Sequence, residues 1–354
     1  MRTFLLIDSY NLFFRAMYTC NDNDAEMRKG LLLHTMFFMF KKACDKFNPD
    51  HLVICADGKG SWRYKEYPKY KANRIESYNK KTFAEQEKEK QLKDVFINDF
   101  IPFIKEKTNV TFLQYENAEA DDLIARFIEL HPNDKCVIVS TDNDYIQLLN
   151  DNVIIYNTMD NRIISKNCIL SSENYKPIKF TLKNGKISVS KTDVLVKKGD
   201  PLVPMKDWVE YALFTKIVRG DDSDNIFSAF PRVREKSTKN SVGMLDAFED
   251  RGYKGFNWQT FMNSTWETPL GEKKLVKECY EFNKKIIDLK EIPNEIKVLV
   301  DSYIMESLHT NYISNIGINI MKYLGKWNLQ KLLDISSSFS GYFSKTYPND
   351  KTPL

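Results

Sequence analysis

Four short apolar runs, at residues 4–7, 52–56, 110–115 and 136–140, recur through the first half of the chain, and a fifth follows at 153–156. Each has the length of one buried strand, and none alternates with polar residues as a half-wetted strand would. Stretches with apolar residues at helical spacing separate most of them, at 30–46, 91–107 and 120–130. Strand alternating with helix predicts an α/β fold on a central, mostly parallel sheet, with right-handed crossovers placing helices on both faces. Residues 61–90 interrupt the pattern with a polar, charged and aromatic stretch too long for an ordinary connection. In a second interruption, 163–204, the alternating segment 180–189 turns at Asn184-Gly185, which predicts a small hairpin. From Met205 onward, amphipathic segments at 208–218, 273–289 and 294–308 predict a helical C-terminal region. The expected division is therefore 1–204 and 205–354.

The chain has 354 residues, 42% of them hydrophobic and 28% charged, ample for a sizeable core. No run approaches the roughly 18 uncharged apolar residues of a membrane span, and Asp8 cuts short the first apolar run, so neither a span nor a signal segment fits. A cytoplasmic protein is expected. Six scattered cysteines without a CxxC pair and four dispersed histidines indicate neither a zinc site nor a disulfide framework. His34 and His51 read as core or surface residues, and the aromatic stripe Phe37, Phe38 and Phe40 as core. A net charge of +4 does not by itself announce a polyanionic partner.

The chemical signal is where the acids fall. Loops beyond the carboxyl ends of parallel strands converge on one crevice. Asp8 follows the first run, Asp57 the second, Glu119, Asp121 and Asp122 the third, and Asp142 and Asp144 the fourth, while Asp221, Asp222 and Asp224 follow the helix expected to end near Arg219. Taken singly, each reads as a turn or cap residue, and the acids from 119 to 122 suit the first turn of a helix. Taken together they point to divalent cations, because crowded carboxylates raise one another's pKa unless compensated. Oxygen-only ligation suits Mg²⁺ or Mn²⁺, and two such ions can activate water and stabilise the leaving oxygen of a phosphodiester.

Between Lys59 and Lys81, eight basic residues (Lys59, Arg63, Lys65, Lys69, Lys71, Arg74, Lys80 and Lys81) stand against Glu66 and Glu76 and are interleaved with Trp62, Tyr64, Tyr67, Tyr70 and Tyr78. Cations grip phosphates and aromatics stack on unpaired bases, so the composition suits single-stranded or frayed nucleic acid. A solvated charge run is the bland alternative.

These residues resemble the structure-specific 5′-nuclease superfamily of flap endonucleases, polymerase-associated 5′-nuclease domains and phage exonucleases, most of all its phage ribonuclease H branch. The matching motifs are Leu5-Leu-Ile-Asp-Ser-Tyr-Asn-Leu with Arg15, Ala56-Asp-Gly-Lys-Gly-Ser-Trp-Arg running to Tyr67-Pro-Lys-Tyr-Lys-Ala-Asn-Arg, Glu119-Ala-Asp-Asp, Ser140-Thr-Asp-Asn-Asp-Tyr and Gly220-Asp-Asp-Ser-Asp-Asn-Ile. They occur in family order over roughly residues 1–230. The resemblance implies a PIN-like nuclease core with one metal ion near Asp8, Asp57, Glu119 and Asp121 and a second near Asp142, Asp144 and Asp221. Asp122 and Asp224 would be supporting acids. It also implies a helical arch or bridge at 61–90, in which Lys71 and Arg74 steer phosphate and Tyr70 stacks on a base. Beyond Ile226 the glycine-rich helix-turn-helix of most members is missing, which puts a bound monovalent cation in doubt, but Arg232, Arg234, Lys236 and Lys239 remain to grip duplex phosphates.

The function implied is a Mg²⁺-dependent 5′→3′ nuclease, of ribonuclease H and flap endonuclease type, that removes RNA primers and 5′ flaps during DNA replication. The implied substrates are branched or nicked duplex DNA and RNA–DNA hybrids. A single-stranded-DNA-binding protein or sliding clamp is a plausible partner, the chain is expected to be a monomer, and a phage-encoded protein would work in the host cytoplasm. A PIN-type endoribonuclease and a non-catalytic nucleic-acid-binding protein with the same fold are the alternatives.

Overall fold

In the computed structural model, which describes residues 1–20, 24–308 and 312–348, the five apolar runs become β1 (Thr3–Asp8), β2 (His51–Cys55), β3 (Thr111–Leu113), β4 (Lys135–Val139) and β5 (Val153–Asn157). These run parallel in the spatial order β3-β2-β1-β4-β5. The short strands β6 (Arg162–Ile164) and β7 (Ile169–Leu170) extend the sheet antiparallel beyond β5. Phe4, Leu5, Leu6 and Ile7 of the central strand are all 0% exposed, because helices cover both faces and no residue of β1 needs to be polar. Full burial of such a side chain contributes roughly 1.5–3 kcal/mol. The direction of strand succession reverses between β1 and β4, which opens a crevice at their carboxyl ends.

Asp24 starts the helix Ala25–Phe47 by accepting from Met27 N at 2.8 Å, and Asn48 ends it in the left-handed region at φ 41°. Its inner face carries Leu33, Met36, Phe37 and Phe40. Phe38, expected in the core, is instead 51% exposed, one residue and about 100° round the helix from Phe37, where it stacks on His34. His51 is buried, with Nε2 against Thr111 Oγ1 at 2.7 Å and Nδ1 against Lys345 O at 3.0 Å. Burial pushes its pKa down to about 4, a neutral core histidine as expected.

The units of the fold do not follow the expected boundary at residue 204. One comprises Met1–Trp62, Tyr78–Pro177 and the described residues from Asn294 onward, and the other Arg63–Ser77 and Ile178–Pro293. In the first, helices Ile316–Lys326 and Ser336–Ser344 bury Ile320, Tyr323, Leu324, Phe339 and Phe343 in the same core as Phe37. Helical periodicity identifies the apolar face of these late segments but not the surface that face covers. Helix Asn294–Leu308 has its expected bounds and is tied to helix Ala120–Leu130 by two hydrogen bonds from Arg126 to Asp301, at 2.8 and 2.7 Å.

In the second unit the expected hairpin pairs Phe180–Lys183 with Lys186–Val189. Asn184 (φ 52°) and Gly185 (φ 75°) are both left-handed, as a two-residue turn of this hand requires. Gly185 lies on helix Trp208–Arg219 so closely that a Cβ there would come within 2.7 Å of Ala212 O. Residues 273–289, expected as one helix, begin as strand Lys273–Leu275 paired with Thr265–Glu267 before helix Val276–Ile287. Among the described residues no helix is long and apolar enough to cross a membrane.

Candidate active site

The acids of the first unit gather at the crevice. Asp8 ends β1 and caps helix Ser9–Thr19, its Oδ1 accepting from Asn11 N at 3.0 Å. Asp57, two residues past β2, accepts from Ala120 N at 2.9 Å and so holds the start of helix Ala120–Leu130. Asp142 follows β4 and accepts from Asp144 N at 3.0 Å. The loop carrying Asp142 is tied to helix Ser9–Thr19 through Thr141, which donates from N and Oγ1 to Asn11 Oδ1 and accepts from Arg15 Nε at 2.9 Å. Arg15 is exposed beside that loop.

Tyr145 organises the centre of the cluster. Fully buried, it reaches Asp8 Oδ2 at 3.0 Å and is also bonded to Asp121 Oδ1. A phenol has one proton to donate, so one of the two carboxyls must itself be protonated or compensated by a cation. Burial pushes Asp8 up to about 7, with Asp57 and Asp142 adding to the rise. Burial also pushes Asp121 well above the usual carboxylate range, helped by Asp142, Asp8 and Asp144. The same burial and acids raise the Tyr145 hydroxyl, which keeps it a donor. Crowded oxygen donors of this kind fit a divalent cation's preferences.

Glu119 and Asp122 occupy the start of helix Ala120–Leu130, but Asp122 faces inward. It is 0% exposed, and its Oδ2 accepts from Glu119 N at 3.0 Å and from Trp62 Nε1 at 3.2 Å. It supports Glu119 and Asp121, which precede it, by fixing the turn they stand on.

In the second unit the acidic loop closes on part of the basic, aromatic insertion. Asp221 accepts from Ser223 N at 2.9 Å and Lys216 Nζ at 2.8 Å. Burial alone would raise its pKa, but Lys216 and Ser223 outweigh that and hold it at about 2. Asp224 accepts from Tyr70 OH at 3.0 Å and Arg74 Nη2 at 2.6 Å, while its carbonyl accepts from Lys71 N at 3.0 Å. Tyr67 OH donates to Asn225 O at 2.9 Å.

This arrangement corrects the reading of Tyr70 as a base-stacking residue. Its ring is only 4% exposed, packed edge-on against Tyr64 with its hydroxyl committed to Asp224, so no face is presented to a base. Trp62 and Arg63 also turn inward, the latter donating from Nε to Ile286 O at 2.9 Å. Composition records how many aromatics and cations an insertion carries, not which of them the fold consumes. Tyr64, 44% exposed, is the aromatic of 63–77 that stays outside. Arg232, Arg234 and Lys236 are exposed on the loop before helix Met244–Glu249.

Sequence reasoning gave no role to Tyr145 or Lys216 and counted Trp62 only among the aromatics that could stack on bases. Tyr145 lies inside the matched Ser140–Tyr145 motif, and a tyrosine directly after an acid in a buried segment was the available signal. Nothing local marks Lys216 as the partner of Asp221, because the pairing depends on how the helix ends.

Residues 3–175 match the family described as the 5′-3′ exonuclease, N-terminal resolvase-like domain. The chain is 29% identical over 171 residues to a flap endonuclease Xni of Pseudoalteromonas translucida, covering 47% of this chain and 61% of that protein. It is likewise 29% identical over 156 residues to a flap endonuclease of Escherichia phage T5, covering 43% of this chain and 50% of the relative. These alignments span only about half to three-fifths of the relatives' length. A solved structure of the phage T5 flap endonuclease, a pseudo-enzyme–product complex with DNA and metal ions, shares the fold at a TM-score of 0.52 and 17% identity, covering 95% of this chain and 100% of that one.

Proposed function

We propose that this chain, whose residues 3–175 belong to the 5′-3′ exonuclease family, is a divalent-metal-dependent nuclease that hydrolyses phosphodiesters at 5′ ends and 5′ flaps. The observation that carries the reading is the sharing of Tyr145's single proton by Asp8 and Asp121 within a ring of further acids. Asp8, Asp57, Glu119, Asp121, Asp142 and Asp144 would hold the cations, and Mg²⁺, with Mn²⁺ as a substitute, suits their oxygen donors. Bound there, two ions would neutralise the crowded carboxylates and stabilise charge on a scissile phosphate. Asp122 and Trp62 keep the acidic turn in register, and Tyr145 orients Asp8 and Asp121 relative to each other. Lys71 and Arg74 serve as cationic donors to substrate phosphate, with Asp221 and Asp224 organising the loop on which their segment rests. Arg15, Arg232, Arg234 and Lys236 grip the sugar-phosphate backbone.

The names of the relatives support 5′-flap DNA as substrate. Removal of RNA primers from RNA–DNA hybrids during replication, in the cytoplasm of a host cell, is the finer form of the proposal and carries the ribonuclease H assignment. A Mg²⁺-dependent release of 5′ products from a labelled flap tests it, with a matched RNA-primed duplex as the second substrate. Metal-independent binding without release would leave the non-catalytic binder standing, and cleavage of single-stranded RNA without any need for adjoining duplex would favour the endoribonuclease.

A further inference from the structure

A concave groove in the second unit runs beside the acidic loop, whose Asp221 and Asp222 also line it, and carries basic residues of the hairpin to which the active site gives no role. The tip of the hairpin forms one wall through Lys183, Asn184 and Lys186, the end of helix Trp208–Arg219 forms the back, and Arg232 closes the far side. Lys183 and Lys186 stand directly opposite each other across the turn. Like charges in that register destabilise a hairpin, so the pairing costs the fold something unless an anion meets it. Lys183, Lys186 and Arg232 are exposed and have no ion pair among the described residues.

The fold presents these cations in fixed positions. Asn184 and Gly185 make the tight turn, and Gly185 is buried where a Cβ would stand 2.7 Å from Ala212 O and 3.1 Å from Lys216 N. The hairpin is therefore seated on the helix backbone, with one lysine on each side of the contact. Arg232 holds a left-handed conformation at φ 60°, uncommon for a residue with a side chain. It also lines a second concavity with Arg234 and Lys239, so the cationic strip continues past it.

We propose that this strip, from Lys183 and Lys186 to Arg232, binds the phosphate backbone of a nucleic-acid duplex, with the hairpin acting as an arm against one strand. The groove is lined without a single aromatic residue, whereas sites for unpaired strands depend on aromatic faces for their bases. Basic side chains without stacking partners suit the regularly spaced phosphates of paired strands. The inference rests on the nuclease reading for the identity of the polyanion and adds to it where the duplex arm is held.

The test measures binding of the full chain to a short blunt duplex and to a single strand of equal length, by fluorescence anisotropy across a KCl series in EDTA. Lys183→Ala/Lys186→Ala and Lys183→Gln/Lys186→Gln are compared with parent protein and with Lys197→Ala/Lys198→Ala, a pair of exposed lysines outside the groove. Both groove variants should lower the log–log salt slope on the duplex by about two, roughly 0.9 for each lost phosphate contact, while the control pair leaves it unchanged. An unchanged slope with parent-like affinity overturns the groove, as does an equal loss in the control pair or an effect confined to the single strand. Flap cleavage in Mg²⁺ is read in parallel. A parent that binds duplex with the expected slope but never cleaves sinks the nuclease reading and leaves the groove, whereas a parent that binds no nucleic acid sinks both.

Discussion

The guanidinium of Arg74 donates from Nη2 to Oδ1 of Asp224 across 2.6 Å, joining a residue expected to meet substrate phosphate with one expected to support metal binding. Arg74 is 55% exposed and Asp224 12%, so the pair lies at the surface on the arginine's side. An exposed pair of this kind is worth at most about 1 kcal/mol of stability.

Arg74→Ala therefore separates two roles. If Arg74 is a phosphate donor, single-turnover cleavage of a 5′ flap at saturating enzyme should slow by on the order of 10²-fold, with thermal stability nearly unchanged. If it serves only to hold Asp224, the rate should stay within about threefold of the parent, or 0.65 kcal/mol. Lys71→Ala is expected to behave as Arg74→Ala does, because a contact tightened in the transition state shows in turnover more than in affinity.

Asp57→Asn and Asp142→Asn should each abolish or greatly slow hydrolysis while DNA binding persists. Removing one carboxylate from a crowded oxygen set disturbs cation geometry far more than it disturbs a basic surface elsewhere. Near-normal cleavage by both variants at limiting Mg²⁺ would remove these residues from the ligand set.

The crowded acids also predict a pH-dependent response to Mg²⁺. Burial raises Asp8 to about 7 in the folded state, so the folded protein binds more protons than the unfolded chain between about pH 4 and 7. Without metal, this contribution to stability is present below the unfolded pKa and is lost as pH rises towards 7. A shift of that size corresponds to roughly 4 kcal/mol. Added Mg²⁺ should accordingly raise Tm more at pH 7.5 than at pH 5. Equal gains at both values in paired EDTA and Mg²⁺ melts would mean that the cation is not meeting these carboxyls.

Tyr70→Phe distinguishes a prop from a stacking platform. The ring survives, so a base-stacking role would leave selection of frayed 5′ ends intact. Loss of a hydrogen bond to the Asp224 carboxylate should instead cost about 1.5–3 kcal/mol in urea unfolding. Tyr70→Ala, which also empties a buried ring site, should cost about 3–5 kcal/mol. A Tyr70→Phe variant as stable as the parent would remove the prop role for the hydroxyl.

The sheet and its acids were legible because both depend on short-range pattern. Apolar runs such as 4–7 and 52–56 are continuous where a strand is buried on both faces, and Asp8 and Asp57 stand where those runs stop. Helix Ala120–Leu130 declared its own start through Glu119 and its first-turn acids. Less legible were features set by tertiary partners. The inward turn of Tyr70 and Trp62 depends on Asp224 and Asp122, which lie 154 and 60 positions away. The break in the chain's division fell elsewhere for a similar reason, since the apolar faces of helices Ile316–Lys326 and Ser336–Ser344 find their complement beside Phe37.

That return of the late helices has a consequence for how the protein is made. His51 is bonded to Lys345 across 294 positions, so the core that holds the crevice cannot close until those residues leave the ribosome. At about 5–20 residues per second, translation of the intervening chain takes on the order of 15–60 s. Throughout that interval the face of helix Ala25–Phe47 that bears Phe37 and Phe40 lacks its final cover, and a chaperone that grips apolar surface competes with folding for the nascent chain.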